Sequence, residues 1–251
     1  MRRLAGVLVS LSSVAILAAG VAGAVPDSRT VAEPDPWIGA VFLGNGPLHT
    51  CSGSVLDSRD GDLVVTAAHC VIGNGAFLGF APGYTRGREP VGRWEVAEVY
   101  LDPRWVRGFD ADHDYAILRV RPGAGAPPTS VEQAVGGGFR PADGPAVDDL
   151  VTVTGYGVGL LDSPTTCTRP VGRENGYASF ACDGFVYGTS GGPWVEGNDL
   201  VGIIAGPHLG GCLNGISYTP PFDDALHDLI RRAENRAPSD SAPIADLVND
   251  C

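Results

Sequence analysis

The chain has no lysine: its 17 basic residues are all arginines, set against 29 Asp and Glu, for a formal charge of −12 over 251 residues. A chain this acidic gains nothing by releasing counterions from a phosphate backbone, so DNA and RNA are not expected partners. After the first 24 residues it also lacks any apolar run long enough to span a bilayer. It has no repeat of fixed period, and none of the strand–helix alternation that a parallel sheet needs. These absences argue against nucleic-acid binding, membrane spanning, solenoids and doubly wound folds. The acidity is read as solubility outside the cell.

What is present begins with a leader. Arg2 and Arg3 are followed by an apolar stretch from Leu4 to Ala19, and Ala22-Gly23-Ala24 supplies the small residues that a signal peptidase requires. Residues 1–24 are therefore read as a secretory signal, with the mature chain starting near Val25. A membrane anchor is the weaker alternative, because the run is short and a cleavage site lies directly behind it. Removal of the two arginines makes the mature chain more acidic still. The reading is a secreted, extracellular protein with no membrane association after processing, acting as a monomer. About 227 residues remain, which suits one large all-β unit or two small domains with a substantial core. All six cysteines lie in this part, an even number consistent with three disulfides in an oxidising compartment.

Glycine (36) and proline (20) are frequent, and the apolar runs between them are short and rich in Val, Ile and Tyr. That pattern predicts many short strands joined by turns. Candidate strands are 37–43, 54–56, 63–67, 94–101, 115–120, 150–156, 192–195, 200–205 and 216–218. One helix is predicted over 222–233, where Phe222, Ala225, Leu226, Leu229, Ile230 and Ala233 recur at helical spacing and Arg231 and Arg232 fall in the last turn. The Gly-, Pro- and Ala-dense stretch 121–146 reads as the link between two β units within 25–236. Residues 237–251 form a polar tail ending in Cys251.

Three segments carry chemistry. Thr66-Ala67-Ala68-His69-Cys70 ends an apolar strand and presents a histidine suited to general-base work. Alone, a histidine beside a cysteine packs more often than it reacts. Asp112-His113-Asp114-Tyr115-Ala116-Ile117-Leu118 sets a carboxylate at the start of an apolar strand. Burial there is costly unless the carboxylate holds a donor such as an imidazole N–H; the bland reading is a turn aspartate capping its own backbone. Gly188-Thr189-Ser190-Gly191-Gly192-Pro193 surrounds a serine with glycines, which permit a tight turn with N–H groups aimed at a developing oxyanion.

Taken together, in the order His, Asp, Ser and each beside a predicted strand, these segments resemble the trypsin/chymotrypsin family of serine proteases. The resemblance covers most of 36–230 and extends to His49-Thr50-Cys51-Ser52-Gly53-Ser54-Val55-Leu56 and to Leu200-Val201-Gly202-Ile203-Ile204. It implies an all-β fold of two six-stranded antiparallel barrels with a C-terminal α-helix. It also implies a serine endopeptidase acting on polypeptides through an acyl-enzyme, with neither metal nor organic cofactor. Carried over, Ser190 is the nucleophile, His69 the general base and acid, and Asp114 the residue that orients the imidazole, while the N–H groups of Gly188 and Ser190 form the oxyanion hole. Cys51–Cys70 matches the family bridge behind the catalytic histidine. The other four cysteines allow three pairings, with Cys167–Cys182 and Cys212–Cys251 favoured over Cys182–Cys212. His49 and His227 read as structural, His113 as solvated, and His208 as a residue near the substrate cleft.

Two positions depart from the family pattern, and nothing near Val25–Trp37 resembles the family's Ile-Val-Gly-Gly activation start. Thr189 replaces the usual aspartate before the nucleophile, which implies an oxyanion hole ordered by neutral hydrogen bonds. Ala205 replaces a serine that supports the catalytic aspartate. The floor of the specificity pocket falls on Gly184 or, with a register shift, on Asp183, which would bind Arg or Lys. Two rivals stand beside the protease reading: a non-catalytic binding protein of the same fold, and an α/β-hydrolase esterase whose Asp and His would follow Ser190.

Overall fold

The computed structural model describes residues 29–160, 162–185, 187–211 and 215–243. The leader, Cys212 and Cys251 lie outside them. A two-residue strand, β1 (Thr30–Val31), precedes the six strands of a closed barrel. These are β2 (Ile38–Leu43), β3 (His49–Val55), β4 (Leu63–Thr66), β5 (Leu78–Pro82), β6 (Trp94–Leu101) and β7 (Ala116–Pro122). Every pairing around the ring β2-β3-β4-β7-β6-β5 is antiparallel. The start of β6 shows the period of two that makes a half-buried strand, with Trp94 and Val96 inside and Glu95 outside. On β2, Gly39 is required: a Cβ would sit 2.5 Å from both the Phe80 ring and the Ala81 carbonyl of β5.

The second unit holds β8 (Arg140–Pro141), β9 (Leu150–Gly155), β10 (Thr165–Pro170), β11 (Gly172–Glu174), β12 (Tyr177–Ala181), β13 (Pro193–Glu196), β14 (Asp199–Ile203) and β15 (Ile216–Thr219). They form a six-stranded sheet, β1-β10-β9-β13-β14-β8, and a three-stranded sheet, β11-β12-β15. The sheets are joined where the Ala205 N–H donates to the Tyr218 carbonyl at 3.1 Å and the Ile203 N–H to the Thr219 hydroxyl at 3.1 Å. The architecture is the all-β one expected, with a closed first barrel and a second unit built of two sheets.

Each of the nine predicted strands falls on a strand of the structure, with ends shifted by a few residues. β1, β5, β8, β10, β11 and β12 were not anticipated. β10 shows why: its Thr165-Thr166-Cys167-Thr168-Arg169-Pro170 is polar and mostly half-buried, so it carries no apolar alternation. Two short helices, α1 (Pro103–Gly108) and α2 (Val131–Val135), were missed as well. Arg121 and Pro122 complete β7, so the link begins after them, and it contains α2 and β8.

The closing helix α3 runs Asp224–Glu234, starting two residues and ending one residue later than the periodicity suggests. The Asp223 carboxylate accepts from the Ala225 N–H at 2.9 Å and sets the start. Leu226, Leu229, Ile230 and Ala233 turn inward to join the larger core, which fills the first barrel. Arg119 of β7 is buried and ties the barrel to this helix. Its guanidinium bonds the carboxylates of Glu98 and Asp62 and the Ala233 carbonyl of α3. A smaller core around Phe180 and Trp194 fills the second unit.

Candidate active site

His69 sits on a single 3-10 turn, Ala68–Cys70, that follows β4. Cys70 is bridged to Cys51 of β3, so the turn is fixed covalently to the neighbouring strand. Asp114 lies two residues before β7 and closes another short 3-10 turn, Ala111–His113. Its side chain has no exposure to solvent. Three N–H groups satisfy the carboxylate. The His69 backbone donates to Oδ1 at 2.9 Å, while Oδ2 lies 2.7 Å from His69 Nδ1 and accepts from the Gly206 N–H at 2.9 Å. Both oxygens of the buried carboxylate are thereby paired with donors.

Ser190 stands at the corner of a tight turn in which the Gly192 N–H returns to the Thr189 carbonyl at 2.9 Å. The Ser190 carbonyl accepts from the Ser52 N–H of β3 at 2.7 Å, and the Gly191 N–H donates to the Ile204 carbonyl at 2.7 Å. The turn is thus wedged between the two units. Gly191, at φ 78°, admits no side chain, since a Cβ would lie 2.2 Å from the Ser52 carbonyl. Among the described residues, neither the Gly188 nor the Ser190 amide donates to a backbone carbonyl. Both remain available to an external acceptor.

His69, Gly188 and Ser190 line one cavity of about 350 Å³ together with His208. The remaining wall is mainly apolar and includes Leu43, Ile72, Val158, Phe185, Ile204 and Leu209. The structure therefore brings together all the residues assigned to catalysis and the oxyanion hole. His69 and Ser190 line the same cavity. Cys51, His69 and Cys70 are the one cluster of potential metal ligands among the described residues. Both sulfurs are spent in the disulfide, so the cluster does not fit a metal.

Several expectations need correction. Asp183 is exposed, and neither it nor Gly184 lines the cavity. Gly184, at φ 94°, packs instead against the Arg29 side chain, 2.7 Å from where a Cβ would be. Phe185, one residue later, takes the wall position. His113 is buried beside the Tyr115 ring, with Nδ1 3.1 Å from Asp110, and is not solvated. Cys182 is bonded to Cys167, as favoured, which excludes Cys182–Cys212; the expected Cys212–Cys251 bridge lies outside the described residues.

The trypsin family model matches residues 25–223. The chain belongs to the trypsin family. Among solved structures it resembles the protease Anisep from Arthrobacter nicotinovorans, at 21% identity and a TM-score of 0.68, covering 82% of this chain and 99% of that one. A thermostable serine protease, AL20, from an extremophilic microorganism gives 24% identity and a TM-score of 0.65, covering 80% and 98%. An inactivated protease paralogue of the scabies mite also shares the fold, at 15% identity and a TM-score of 0.60, covering 86% and 100%. No curated protein sequence matches.

As a trypsin-family member the chain solves the Ala205 departure with backbone. The Gly206 N–H reaches Asp114, so no hydroxyl at position 205 is needed. Sequence reasoning missed this because every residue carries an amide, and only the fold shows where one points. The signal available was the glycine itself: Gly206 adopts φ 89° and ψ −136°, a conformation closed to other residues.

Proposed function

We propose that this trypsin-family chain is a secreted serine endopeptidase with Ser190, His69 and Asp114 as its catalytic triad. The observation that carries this reading is the buried Asp114 carboxylate on His69 Nδ1. That contact makes Nδ1 the protonated nitrogen and leaves Nε2 as the acceptor for the Ser190 proton. Ser190 attacks the scissile carbonyl as His69 takes its proton. The oxyanion forms against the Gly188 and Ser190 amides, and His69 then protonates the leaving amine. Water reverses the sequence on the acyl-enzyme.

The apolar wall favours an apolar side chain next to the scissile bond. Among the described residues lining the cavity none is Asp, Glu, Lys or Arg. Burying a Leu or Phe side chain is worth about 1.5–3 kcal/mol, whereas a buried guanidinium would lack a counter-charge. Phe or Leu substrates should therefore exceed the Arg analogue by at least tenfold in kcat/KM, and an Arg preference would refute this assignment.

The non-catalytic reading remains the rival, because the fold hosts an inactivated paralogue. The α/β-hydrolase reading falls with the family match. A serine-reactive phosphonate separates the first two. Labelling at Ser190 that disappears in His69→Ala and Ser190→Ala supports the protease. A folded chain that takes no label and hydrolyses no peptide or ester is a binding protein.

A further inference from the structure

In this chain Thr189 has no charge with which to order the oxyanion hole. We propose that the buried His49 and its half-buried partner Asp162 fill that role, acting as positioning residues for the Gly188 amide. The inference rests on the serine-protease reading above.

The argument starts at the peptide between Tyr187 and Gly188. In a trans peptide the C=O and the N–H point in opposite directions. The Tyr187 carbonyl accepts from the Val158 N–H at 2.8 Å, so the Gly188 N–H is turned away from Val158. At φ 95° Gly188 has the freedom of glycine, and a flip of this peptide would replace the donor with a carbonyl oxygen. The bond from Val158 opposes that flip. The backbones are in direct contact here, since a Cβ on Gly188 would lie 2.2 Å from Val158 N. On its far side the Gly188 carbonyl accepts from Ser52 Oγ at 3.1 Å, and that hydroxyl accepts from the Tyr156 N–H at 2.8 Å.

What holds Val158 in place is the first barrel. His49, the first residue of β3, is fully buried, and its Nε2 lies 2.5 Å from Asp162 Oδ1. Its backbone exchanges two bonds with Gly159, at 3.3 and 3.4 Å. The Tyr84 hydroxyl donates to the Leu160 carbonyl at 2.5 Å, and the rings of Phe42, Tyr84 and Tyr156 meet the His49 imidazole edge-on. The chain from Tyr156 to Leu160 is therefore pinned on one side by His49 and its neighbours, and on the other it supports the hole. Asp162, bonded to His49, anchors the exit of that segment. The mechanism does not otherwise use this hydrogen-bonded pair, which lies between β3 and the hole.

The test is Asp162→Ala in the full secreted chain, assayed with a peptide ester and with a peptidyl trifluoromethyl ketone, whose adduct places an oxyanion in the hole. Loss of one hole donor costs about 10²–10³-fold in kcat; a loosened donor should cost about 10–100-fold. The expected result is a fall of that size in kcat with KM within about threefold, matched by an equal fall in ketone affinity. Asp162→Asn, which still offers an acceptor to His49, should recover most of both. His49→Phe keeps the aromatic packing and removes the N–H, and it should behave like Asp162→Ala if that variant does not fold. The proposal is overturned if active-site titration finds only fewer active molecules with parental kcat and ketone affinity, or if the variants match the parent. A parent that neither turns over esters nor takes a phosphonate overturns the protease reading instead.

Discussion

Replacing Asp114 by Asn separates geometry from charge at the heart of the site. Both carboxylate oxygens face N–H donors: the His69 backbone on Oδ1, and His69 Nδ1 with the Gly206 amide on Oδ2. Asparagine has one oxygen and one NH2, so one of these two faces must oppose donor to donor. If its oxygen stays on the His69 backbone, the NH2 confronts the imidazole. His69 then has to present an unprotonated Nδ1 and carry its proton on Nε2, where it cannot accept from Ser190. If the amide turns over, the NH2 opposes the His69 N–H and the turn holding the histidine is disturbed. In serine proteases the tautomer error costs about 10⁴-fold in kcat, which is about 5.4 kcal/mol on the barrier. The variant should fold, because the residue is isosteric and most of its contacts survive. Steady-state kcat on a peptide ester, normalised by circular dichroism and thermal melting, reads the effect. A folded Asp114→Asn protein with kcat within tenfold of the parent would refute the proposed role of Asp114 on His69.

Gly206→Ala forces a side chain onto a backbone at φ 89°, ψ −136°, costing about 1–3 kcal/mol of strain. If relaxation pulls the amide from Asp114, a bond to a charged group worth about 1.5–3 kcal/mol is lost, and kcat should fall about 10–100-fold with KM little changed; an unchanged kcat would mean that this amide does not orient Asp114. Arg119→Ala leaves Asp62, Glu98 and the Ala233 carbonyl without their shared cation, which should cost about 3–5 kcal/mol in urea unfolding, whereas a loss under 1 kcal/mol would make the cluster a surface network. Cys51→Ala/Cys70→Ala opens a loop with a sequence separation of 19 and should lose about 3 kcal/mol; a melting temperature equal to the parent's would contradict it.

How much of this was legible depended on whether the information resides in side chains or in backbone. The strand 94–101 declared itself through apolar alternation, and α3 through a helical stripe, because burial of one face leaves a period in the sequence. β10 left none, since its threonines pair with those of β9 through hydroxyls at 2.8 and 3.0 Å. The three motif residues were legible because their residue types and order are unusual in combination. His113 was misread because flanking aspartates suggest solvent, while the turn that presents Asp114 folds the imidazole inward. Asp183 failed as a pocket residue for a related reason: a shift of two positions along the chain, to Phe185, moves the side chain from solvent to cavity wall.

The two departures that cast doubt on the site, Thr189 and Ala205, are instructive for what compensates them. At Ala205 the missing hydroxyl is replaced by the next residue's amide, delivered by a glycine-only conformation. At Thr189 the missing carboxylate leaves a buried residue packed on Gly155, whose Cβ position would fall 3.0 Å from the Thr189 Cβ. The Tyr187–Gly188 peptide is then reached from outside by the Val158 N–H, and the Gly188–Thr189 peptide by the Ser52 hydroxyl. Both replacements use neutral donors in place of groups that a sequence would display. An amide already present in the chain adds no side-chain entropy cost and buries no new charge, so geometry at Gly206 and Val158 can substitute for side-chain chemistry at Ala205 and Thr189. On the proposed reading, that is how an altered motif is compatible with a working site.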